Sequence, residues 1–364
     1  MKRVLFCLTS LSRTNGISKF IMSYYPKISE SIKMDFLLSL DTIDNEYKSI
    51  IENNGGQIYI INCNNKFKKA IHTARMICDL NNDKQYDIIH INFVQQYALG
   101  CIIGAKKARI NKIIYHVHTP KIEKKYELTR NIINTLCINN SNCLVACSNN
   151  AGKSNYKNKK FSIIQNAQDF KQYKYSIKNR NKYIKEFKLN NRFVIGVVGR
   201  ICEPKNPYGV LSILEEIVKI NNNSILVWIG KSDKDYLQKF KDEIVKRNLS
   251  NNILLLGTRQ DVNKIYSCFD VFLMPSIYEG LGNVFLEAQA AGLPTFASTN
   301  VSPEVKCTNL INFYPFCNNA KEWANIILNY RKVKNREKYS EIMSNSNFSI
   351  DKNVTKLIQL YELD

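Results

Sequence analysis

The stretch MPSIYEGLGNVFLEAQAAGLP, residues 274–294, joins three patterns that together indicate the fold class. It begins at the end of an apolar run that is typical of a buried strand, near Met274 and Pro275. A glycine-containing loop follows, and a helix is expected to begin near Asn283 or Val284, with Asn283 as its N-cap. A buried strand that leads through such a loop into a helix is the repeating unit of parallel sheets. The stretch therefore predicts an α/β protein.

The loop and helix start of this stretch also form a candidate anion site. Gly280 and Gly282 would let backbone amides approach a ligand closely, and a helix start adds N–H donors that suit a phosphate. Glu279 and Glu287 can both point towards that ligand, where carboxylates are suited to the hydroxyls of a ribose or a hexose. A capped helix with an acidic first turn would explain Glu287 alone. It would not explain Glu279 beside two glycines, so we favour a binding site.

A second stretch, FVIGVVGRICEPKNPYGVL at residues 193–211, predicts another strand end followed by a helix. The strand would place Arg200 at its carboxyl edge, and Lys205 follows five residues later. Asn206 and Pro207 fit the N-cap and the first position of the next helix. Two cations fixed at a strand end can neutralise a diphosphate without a metal ion. An arginine and a lysine in a loop are ordinarily only solvated, but beside the glutamate–glycine loop they indicate a diphosphate site.

Short apolar runs alternate with helical patterns along nearly the whole chain. The predicted strands are 4–8, 34–40, 58–61, 88–92, 113–118, 144–147 and 163–165, and then 193–199, 225–229, 253–256, 271–274 and 295–297. Two such series predict two parallel sheets, each with helices on both faces. Because ligands of open α/β sheets bind beyond the carboxyl ends of the strands, we expect the site in a cleft between two such edges.

A polar, lysine-rich interval at 171–191 separates the two series, and two helical patterns close the chain. We therefore divide the chain into an N-terminal domain at residues 1–172, a C-terminal domain at 173–346 and a final helical segment at 347–364. A length of 364 residues agrees with about two domains, each large enough to bury its own core.

The charge of the chain limits the classes of partner. There are 52 lysines and arginines against 31 aspartates and glutamates, a formal net charge of +21, which favours nucleic acid, anionic lipid or phosphorylated small molecules. The densest basic segment, 153–192, has little of the aromatic–glycine patterning of RNA-binding modules. We interpret the basic segments 106–130 and 153–192 as a face for anionic membrane lipids or as plain solvation, and we expect no nucleic acid partner.

The remaining composition indicates a folded protein of a reducing compartment. Hydrophobic residues make up 45% and charged residues 23%, which excludes collagen-like, disordered and disulfide-scaffold chains. The eleven cysteines form no CxxC pair and are interpreted as small buried side chains. No apolar run approaches the roughly 20 residues that span a bilayer, and the N-terminal apolar run is too short for a secretory signal. We expect a cytoplasmic location, with peripheral contact to the inner face of the plasma membrane under the lipid interpretation.

The four histidines, His72, His90, His116 and His118, all precede residue 119. His116 and His118 are two residues apart on a predicted strand, so their side chains would face the same way. No third ligand accompanies this pair, and the cations at 200 and 205 make a metal redundant, so we expect no metal ion and no cofactor. His72 and His90 are interpreted as structural residues, and His116 as a core residue or a neighbour of the site.

These motifs closely resemble those of the family 4 glycosyltransferases, which are retaining enzymes of the GT-B fold. GRICEPKN (199–206) is similar to the family's G-R-x-x-x-x-K element, and Glu279 with Glu287 matches its two glutamates separated by seven residues. IIQNAQDF (163–170) resembles its N-G-x-D element, with alanine in place of glycine, and FSIDKNVTKLIQLYE (348–362) resembles its C-terminal helix that crosses back to the first domain. The resemblance is closest to bacterial capsule, exopolysaccharide and O-antigen enzymes.

The resemblance implies two Rossmann-like domains that face an interdomain cleft, the first binding the acceptor and the second the nucleotide sugar. Arg200 and Lys205 would hold the donor diphosphate. Glu287 would bind the ribose hydroxyls, Glu279 would contact the transferred sugar, and His118 would approach the sugar or the acceptor. The catalytic residues implied are thus Glu279, Arg200, Lys205 and His118, and the donor-binding residues are Gly16, Arg259, Gly280, Leu281, Gly282, Asn283, Val284 and Glu287.

Two of these assignments lie in loops outside the two main motifs. In TSLSRTNGIS (9–18) only Gly16 is present where family members often have two glycines, so Asn15 is expected to replace the first in a left-handed conformation. In GTRQDV (257–262) the segment around Arg259 would lie against the base, through its backbone rather than its side chain.

The function implied is transfer of a sugar from a nucleotide diphosphate, UDP by family association, to a hydroxyl of a growing, lipid-linked surface glycan with retention of configuration. A donor phosphate oxygen would assist deprotonation of the acceptor, so no enzyme nucleophile is needed. A GT-B nucleotide-sugar epimerase, a glycan phosphorylase and a non-catalytic basic nucleic-acid-binding protein remain as alternatives. The chain has no P-loop, GxGxxG or nucleophile elbow, which argues against ATP hydrolysis, a dinucleotide site and serine hydrolysis.

Overall fold

The computed structural model describes residues 1–13, 15–63, 65, 68–93, 96–118, 128–279, 281–315, 319–330 and 332–362. The chain divides into two compact units. Unit 1 consists of Met1–Gln168 with Asn347–Asp364, and unit 2 is Asp169–Ser346. Each unit is built on one parallel sheet with helices between its strands.

Unit 1 carries a seven-stranded sheet. Its strands are β1 (Arg3–Leu8), β2 (Lys33–Leu38), β3 (Ile58–Ile60), β4 (Ile88–Ile91), β5 (Lys112–Val117), β6 (Cys143–Ala146) and β7 (Ser162–Ile163). Its helices in the described residues are α1 (Gly16–Ile28), α2 (Asn45–Asn53), α3 (Lys69–Lys84), α4 (Gln96–Lys107), α5 (Leu128–Asn139), α6 (Asn149–Tyr156) and, at the end of the chain, α14 (Ile350–Glu362). The strands pair in parallel in the order β3-β2-β1-β4-β5-β6-β7.

The strand order of unit 1 reverses between β1 and β4. Val4 of β1 lies opposite Met34 on one side and opposite Ile88 on the other. The middle of the sheet is buried on both faces, which is why β1 reads as a continuous apolar run rather than as an alternating one. The carboxyl ends of β1 and β4 lie side by side at this reversal, which is where parallel sheets form a ligand crevice.

The last helix, α14, belongs to unit 1. Its buried residues Ile350, Val354, Leu357 and Tyr361 recur at helical spacing and join a core cluster with residues of α1. Just before α14, the amide of Gln168 donates to Phe348 O at 3.0 Å, and the amide of Ile350 donates to Gln168 O at 3.0 Å. The end of the chain is therefore held by the segment that follows β7.

Unit 2 carries a six-stranded sheet in the parallel order β10-β9-β8-β11-β12-β13. These strands are β8 (Phe193–Val198), β9 (Ser224–Ile229), β10 (Ile253–Gly257), β11 (Val271–Met274), β12 (Thr295–Ser298) and β13 (Ile311–Tyr314). The helices described are α7 (Ile177–Glu186), α8 (Pro207–Ile220), α9 (Lys234–Lys246), α10 (Val262–Ile265), α11 (Asn283–Ala290), α12 (Ala320–Leu328) and α13 (Lys338–Ser344). Short 3₁₀ helices lie at Phe170–Tyr173, Glu203–Lys205, Tyr266–Cys268 and Pro303–Val305.

The strand order of unit 2 reverses between β8 and β11, so the carboxyl ends of these two strands form its ligand crevice. Backbones approach closely at the same edge of the sheet. A Cβ atom built on Gly230, which follows β9, would lie only 1.9 Å from Gly199 O, the carbonyl that follows β8. Gly230 has a φ of 154°. A glycine is therefore required where β9 leaves the sheet.

Two details of the predicted organisation differ from the structure. The strand β13 was not predicted, because INFY alternates apolar and polar side chains and lies half-buried at the edge of the sheet. The predicted domain boundary after residue 172 lies four residues beyond the observed one, after Gln168. The reason is that Phe170–Tyr173 packs within unit 2, where the ring of Tyr173 lies 5.9 Å from that of Tyr266.

None of the helices in the described ranges combines the length and the apolar character needed to cross a membrane.

Candidate active site

The two sequence stretches that predicted a site meet at the crevice between β8 and β11. The carbonyl oxygen of Pro204 accepts hydrogen bonds from the amides of Ile277 at 2.9 Å and Tyr278 at 3.3 Å. The Nδ2 atom of Asn206 donates to Pro275 O at 3.2 Å. The loop that follows β8 is thus hydrogen-bonded directly to the loop that follows β11.

Lys205 and Glu279 form the charged centre of this crevice. The Nζ atom of Lys205 is ion-paired and hydrogen-bonded to Oε1 of Glu279, and Ser276 Oγ donates to the same oxygen at 2.9 Å. Only 6% of the Glu279 side chain and 20% of the Lys205 side chain are exposed. A carboxylate this far removed from water needs such donors to remain charged. The cation and the carboxylate chosen from the sequence are therefore direct neighbours.

Arg200 lies at the carboxyl end of β8, one residue after Gly199. Its side chain is exposed, and the described part of the chain offers its guanidinium no hydrogen bond or ion pair. The next helix begins as the sequence predicted. The Oδ1 atom of Asn206 accepts from the amide of Gly209 at 3.1 Å, and Pro207 is the first residue of α8. Arg200 is thus a cation available to a ligand at a firmly held strand end.

The helix α11 begins at Asn283 as predicted, but its N-cap differs by one residue from the prediction. Gly282 is the N-cap, with a left-handed φ of 80°, and Asn283 is the first helical residue. A Cβ atom on Gly282 would lie 2.6 Å from the Phe285 ring and 3.7 Å from Cδ of Glu279, so the position requires a glycine. No side chain of the described residues caps α11, and helix starts of this kind suit an anionic ligand.

The other residues assigned to this loop are only partly described. Leu281 and Val284 are half-buried on either side of Gly282 and Asn283. Gly280 lies outside the described residues. The roles of these residues towards a donor stay predictions.

Glu287, on the second turn of α11, is held by two tyrosines that the sequence did not suggest. The buried hydroxyl of Tyr266 donates to Oε2 of Glu287 at 2.9 Å, and the Tyr173 hydroxyl also hydrogen-bonds this carboxylate. Burial and the neighbouring carboxylate raise the pKa of both phenols, so both remain protonated donors. Nothing in the local sequence distinguishes these tyrosines from other core aromatics, since only the fold brings them to Glu287.

The side chain of Arg259 belongs to a separate charged cluster. Its Nε donates to Asp261 Oδ1 at 2.9 Å, and one of its terminal nitrogens lies 3.1 Å from a Glu186 oxygen. Hydrogen bonds from this guanidinium lower the pKa of Asp261 to about 2. The charge of Arg259 is thus neutralised within unit 2. Its predicted place beside the base stays a prediction, and it concerns the backbone there.

Unit 1 gathers three of the four histidines at the carboxyl ends of β4 and β5. The rings of His116 and His118 lie 4.0 Å apart, which confirms that they face the same side. His90 Nε2 lies 3.1 Å from His116 Nδ1, and His90 Nδ1 lies 2.7 Å from the hydroxyl of Tyr361 on α14. Burial lowers the pKa of His90 to about 3 and that of His118 to about 4, and it lowers the pKa of His116 as well. All three are therefore neutral at pH 7.

The first loop of unit 1 differs from its prediction in the conformation of Asn15. This residue has an extended backbone, with φ −91° and ψ 127°, and its side chain caps α1 by accepting from the amides of Ile17 and Ser18. The expected left-handed Asn15 is wrong, because an N-cap residue needs an extended backbone. Gly16 is exposed, and a Cβ atom there would meet nothing within 4 Å. Its approach to a donor stays a prediction.

The family of unit 2 follows from its sequence. Residues 179–347 match the sequence model of the family described as "Glycosyl transferases group 1". Unit 2 is a group 1 glycosyltransferase domain. The resemblance to glycosyltransferases inferred from the motifs is thereby confirmed, because the match contains both loops of the crevice, whereas membership of family 4 stays a prediction.

Relatives of the group 1 glycosyltransferase domain and of the whole chain occur among bacterial glycosyltransferases. The chain is 24% identical to "Putative glycosyltransferase EpsF" of Bacillus subtilis, over 100% of this chain and 97% of that protein. It is 29% identical to "UDP-Gal:alpha-D-GlcNAc-diphosphoundecaprenol alpha-1,3-galactosyltransferase" of Escherichia coli, over 59% of this chain and 58% of that one.

Solved structures extend the likeness to both units. The crystal structure of Anabaena Alr3699/HepE in complex with UDP matches with a TM-score of 0.79 at 18% identity, and the match covers 100% of both chains. A glycosyltransferase from Rickettsia africae also matches with a TM-score of 0.79 at 18% identity, over 99% of this chain and 98% of that one. At such identities the likeness establishes the fold. The predicted GT-B class, with two parallel-sheet α/β domains, is confirmed.

Proposed function

We propose that this chain is a retaining, metal-independent GT-B glycosyltransferase. It would move a sugar from a nucleotide diphosphate, UDP in our proposal, to a hydroxyl of a growing, lipid-linked surface glycan. The observation that carries the proposal is the Lys205–Glu279 ion pair at the strand-order reversal of unit 2, together with the start of α11, which no described side chain caps. A cation, a hydroxyl-accepting carboxylate and helix amides together match the parts of a sugar diphosphate.

The relatives support the choice of donor and acceptor. HepE was crystallised with UDP, with UDP and glucose, and with UDP-glucose. The Escherichia coli relative is named for UDP-Gal and for a diphosphoundecaprenol acceptor. A uridine nucleotide and a polyprenyl-linked glycan are therefore the first ligands to test on this chain.

In the proposed reaction, the bond between the anomeric carbon and the diphosphate breaks as the acceptor oxygen bonds to that carbon on the same face. The electron pair and its negative charge remain on the diphosphate, where Lys205, Arg200 and the first amides of α11 would stabilise them. A donor phosphate oxygen would take the acceptor proton. The diphosphate would give Lys205 a second anionic partner, so that Glu279 can accept hydrogen bonds from the sugar. Glu287, oriented by Tyr266, would accept from the ribose.

A thermal-shift panel of nucleotides and nucleotide sugars, run with and without EDTA, tests the donor part of the proposal. We expect uridine diphosphates to raise Tm in both conditions. Turnover with short lipid-linked acceptors, followed by mass spectrometry of the product and NMR of its anomeric proton, tests transfer and retention. Binding of no nucleoside diphosphate in any condition would remove the proposal.

The same panel separates the alternative activities. An epimerase would convert a nucleotide sugar without an acceptor, and a phosphorylase would require inorganic phosphate. A putative UDP-N-acetylglucosamine 2-epimerase from Listeria monocytogenes shares the fold with a TM-score of 0.64 at 13% identity, which supports no activity by itself. A nucleic-acid-binding protein would retain duplex DNA at physiological salt.

The proposed peripheral location depends on the basic segments 106–130 and 153–192, of which the part at 119–127 lies outside the described residues. Lys153 and Lys157 at α6 and Lys178 on α7 are exposed. Anionic phospholipid headgroups attract exposed basic residues on either unit. We expect stronger sedimentation with anionic than with neutral liposomes at low salt, and equal sedimentation with the two would leave solvation as the role of these charges.

Gly16→Ala separates a ligand role of the first loop from a structural one. Since a Cβ atom there meets open space and alanine favours a helix, we expect an unchanged or slightly higher Tm. The Kd for the nucleotide sugar should rise, because the added methyl occupies the space that the donor would approach. The control is Asn45→Ala, at the exposed first residue of α2. Equal Kd values for Gly16→Ala and the wild type, by calorimetry, would end the assignment.

A further inference from the structure

Asn92 lies where the strand order of unit 1 reverses, and His118 lies at the end of the neighbouring strand. Asn92 directly follows β4, His118 directly follows β5, and Asn92 is only 4% exposed. The amide nitrogen of Asn92 donates to Cys7 O at 2.9 Å, at the neighbouring end of β1. Its side chain makes two contacts: Nδ2 lies 3.3 Å from His90 O, and Oδ1 lies 2.7 Å from His118 Nε2. None of the roles assigned so far uses this asparagine.

These contacts determine which nitrogen of His118 carries the hydrogen. The carbonyl oxygen of His90 can only accept, so the donor group Nδ2 of Asn92 must face it. The amide oxygen of Asn92 therefore faces His118 Nε2, and an amide oxygen also only accepts. Nε2 of His118 must then be the protonated nitrogen. In a neutral imidazole this leaves Nδ1 with its lone pair, as a hydrogen-bond acceptor.

The groups that face the His118 ring keep it neutral. They are His116 at a ring distance of 4.0 Å, Phe20 at 5.2 Å, the amide of Asn166 and, at the backbone oxygen of His118, the Cys147 thiol. His90 lies behind His116. No carboxylate is among these described groups. Burial lowers the pKa of His118 to about 4 and outweighs the hydrogen bond to the Asn166 side chain, which raises it.

We propose that Asn92 is a positioning residue that fixes His118 in the Nε2–H tautomer, with Nδ1 as a neutral acceptor. His118 then receives the hydrogen of a carbohydrate hydroxyl and does not contact the anionic diphosphate, since a lone pair facing a phosphate oxygen is repulsive. The choice of a carbohydrate ligand rests on the proposed function, whereas the tautomer follows from the hydrogen bonds alone.

The tautomer is tested on the full-length protein, labelled with ¹⁵N-histidine, by long-range ¹H–¹⁵N correlation of the imidazole nitrogens at pH 7. We expect His118 to show a protonated Nε2 and an unprotonated Nδ1. His72, exposed on α3, is the reference imidazole in the same spectrum. In Asn92→Leu, we expect His118 signals averaged between both tautomers. A wild-type His118 that carries its hydrogen on Nδ1, averages both tautomers or is an imidazolium would overturn the proposal.

Asn92→Asp is the isosteric variant that tests the effect on turnover. A carboxylate would keep the hydrogen on Nε2 but stabilise the imidazolium, so Nδ1 would be protonated at a higher pH than in the wild type. We expect kcat of Asn92→Asp to fall about tenfold per pH unit below that raised pKa and to recover at higher pH, whereas wild-type kcat shows no such loss. A kcat lowered equally at every pH would indicate a purely structural Asn92 and would contradict the proposal.

Two further readouts separate the possible outcomes. If Asn92→Leu raises the Kd of the nucleotide sugar but not that of UDP, the hydroxyl belongs to the donor sugar. If it raises only the KM of the acceptor, the hydroxyl belongs to the acceptor. The predicted tautomer in a protein that turns over no nucleotide sugar would refute the proposed function alone. The opposite tautomer in an active enzyme would refute the role of Asn92 alone.

Discussion

Replacing Lys205 with alanine should lower kcat for the correct donor by roughly 100- to 1,000-fold, or about 2.7–4 kcal/mol of transition-state stabilisation. The leaving diphosphate gains negative charge as the glycosidic bond to it breaks, and the Lys205 ammonium is fixed at the crevice by Glu279 and by the loop that follows β8. A cation that is already oriented needs no reorganisation when that charge develops. Steady-state kinetics with saturating acceptor measures the loss.

Arg200→Ala should cause a loss of similar kind, since Arg200 is the exposed cation at the same strand end. Lys219→Ala is the matched control. Lys219 lies on α8 of the same unit and pairs with Glu216 at 2.6 Å, but on the surface, where an ion pair contributes little. If the Lys205 and Arg200 variants keep kcat within a few-fold of wild type, the diphosphate assignment is wrong. A Tm measured for each variant separates a loss of chemistry from a loss of folding.

The second large effect is acid destabilisation of unit 1 by His90 and His116. Both are buried, and burial lowers the pKa of each well below that of a free imidazole. In the unfolded chain each binds a proton near pH 6.5, whereas in the fold neither does until the pH is much lower. Between about pH 6.5 and the lowered pKa values of the fold, the unfolded state therefore binds more protons than the folded state. The free energy of unfolding consequently falls as the pH falls through this range.

The expected slope, well below pH 6.5, is about 1.4 kcal/mol per pH unit for each of these histidines. Urea unfolding at pH 7, 6 and 5 measures it. Both tryptophans, Trp228 and Trp323, belong to unit 2, so their fluorescence follows that unit while far-UV circular dichroism follows both. We expect the loss of unfolding free energy at low pH to appear in the circular dichroism transition and not in the fluorescence transition. His116→Gln should reduce the slope by one proton, and His72→Gln, at an exposed position of α3, should leave it unchanged. A slope that His116→Gln does not alter would contradict the assignment.

Much of the architecture could be predicted because a strand inside a parallel sheet is buried on both faces. VLFCL of β1 and FVIGVV of β8 consequently appear as apolar runs that need no structural information to recognise. The half-buried edge strand β13 lacks such a run and was missed. Helix starts were predicted where a side chain caps the helix, as at Asn206. The start of α11 near Asn283 was also predicted, but its N-cap is Gly282 rather than Asn283, because the left-handed backbone of this glycine fits that position without a side chain.

The sequence by itself determined that polar residues follow apolar strands, which brings Arg200, Lys205 and Glu279 to carboxyl edges of a sheet. Only the tertiary structure decided that Lys205 and Glu279, 74 residues apart, touch, because β8 and β11 are neighbours in the strand order. The same holds for His90 and Tyr361, which are 271 residues apart and meet because α14 packs in unit 1. Local patterns report whether a side chain is buried, whereas its partner depends on which strands and helices become neighbours. That order is set by the packing of the whole unit.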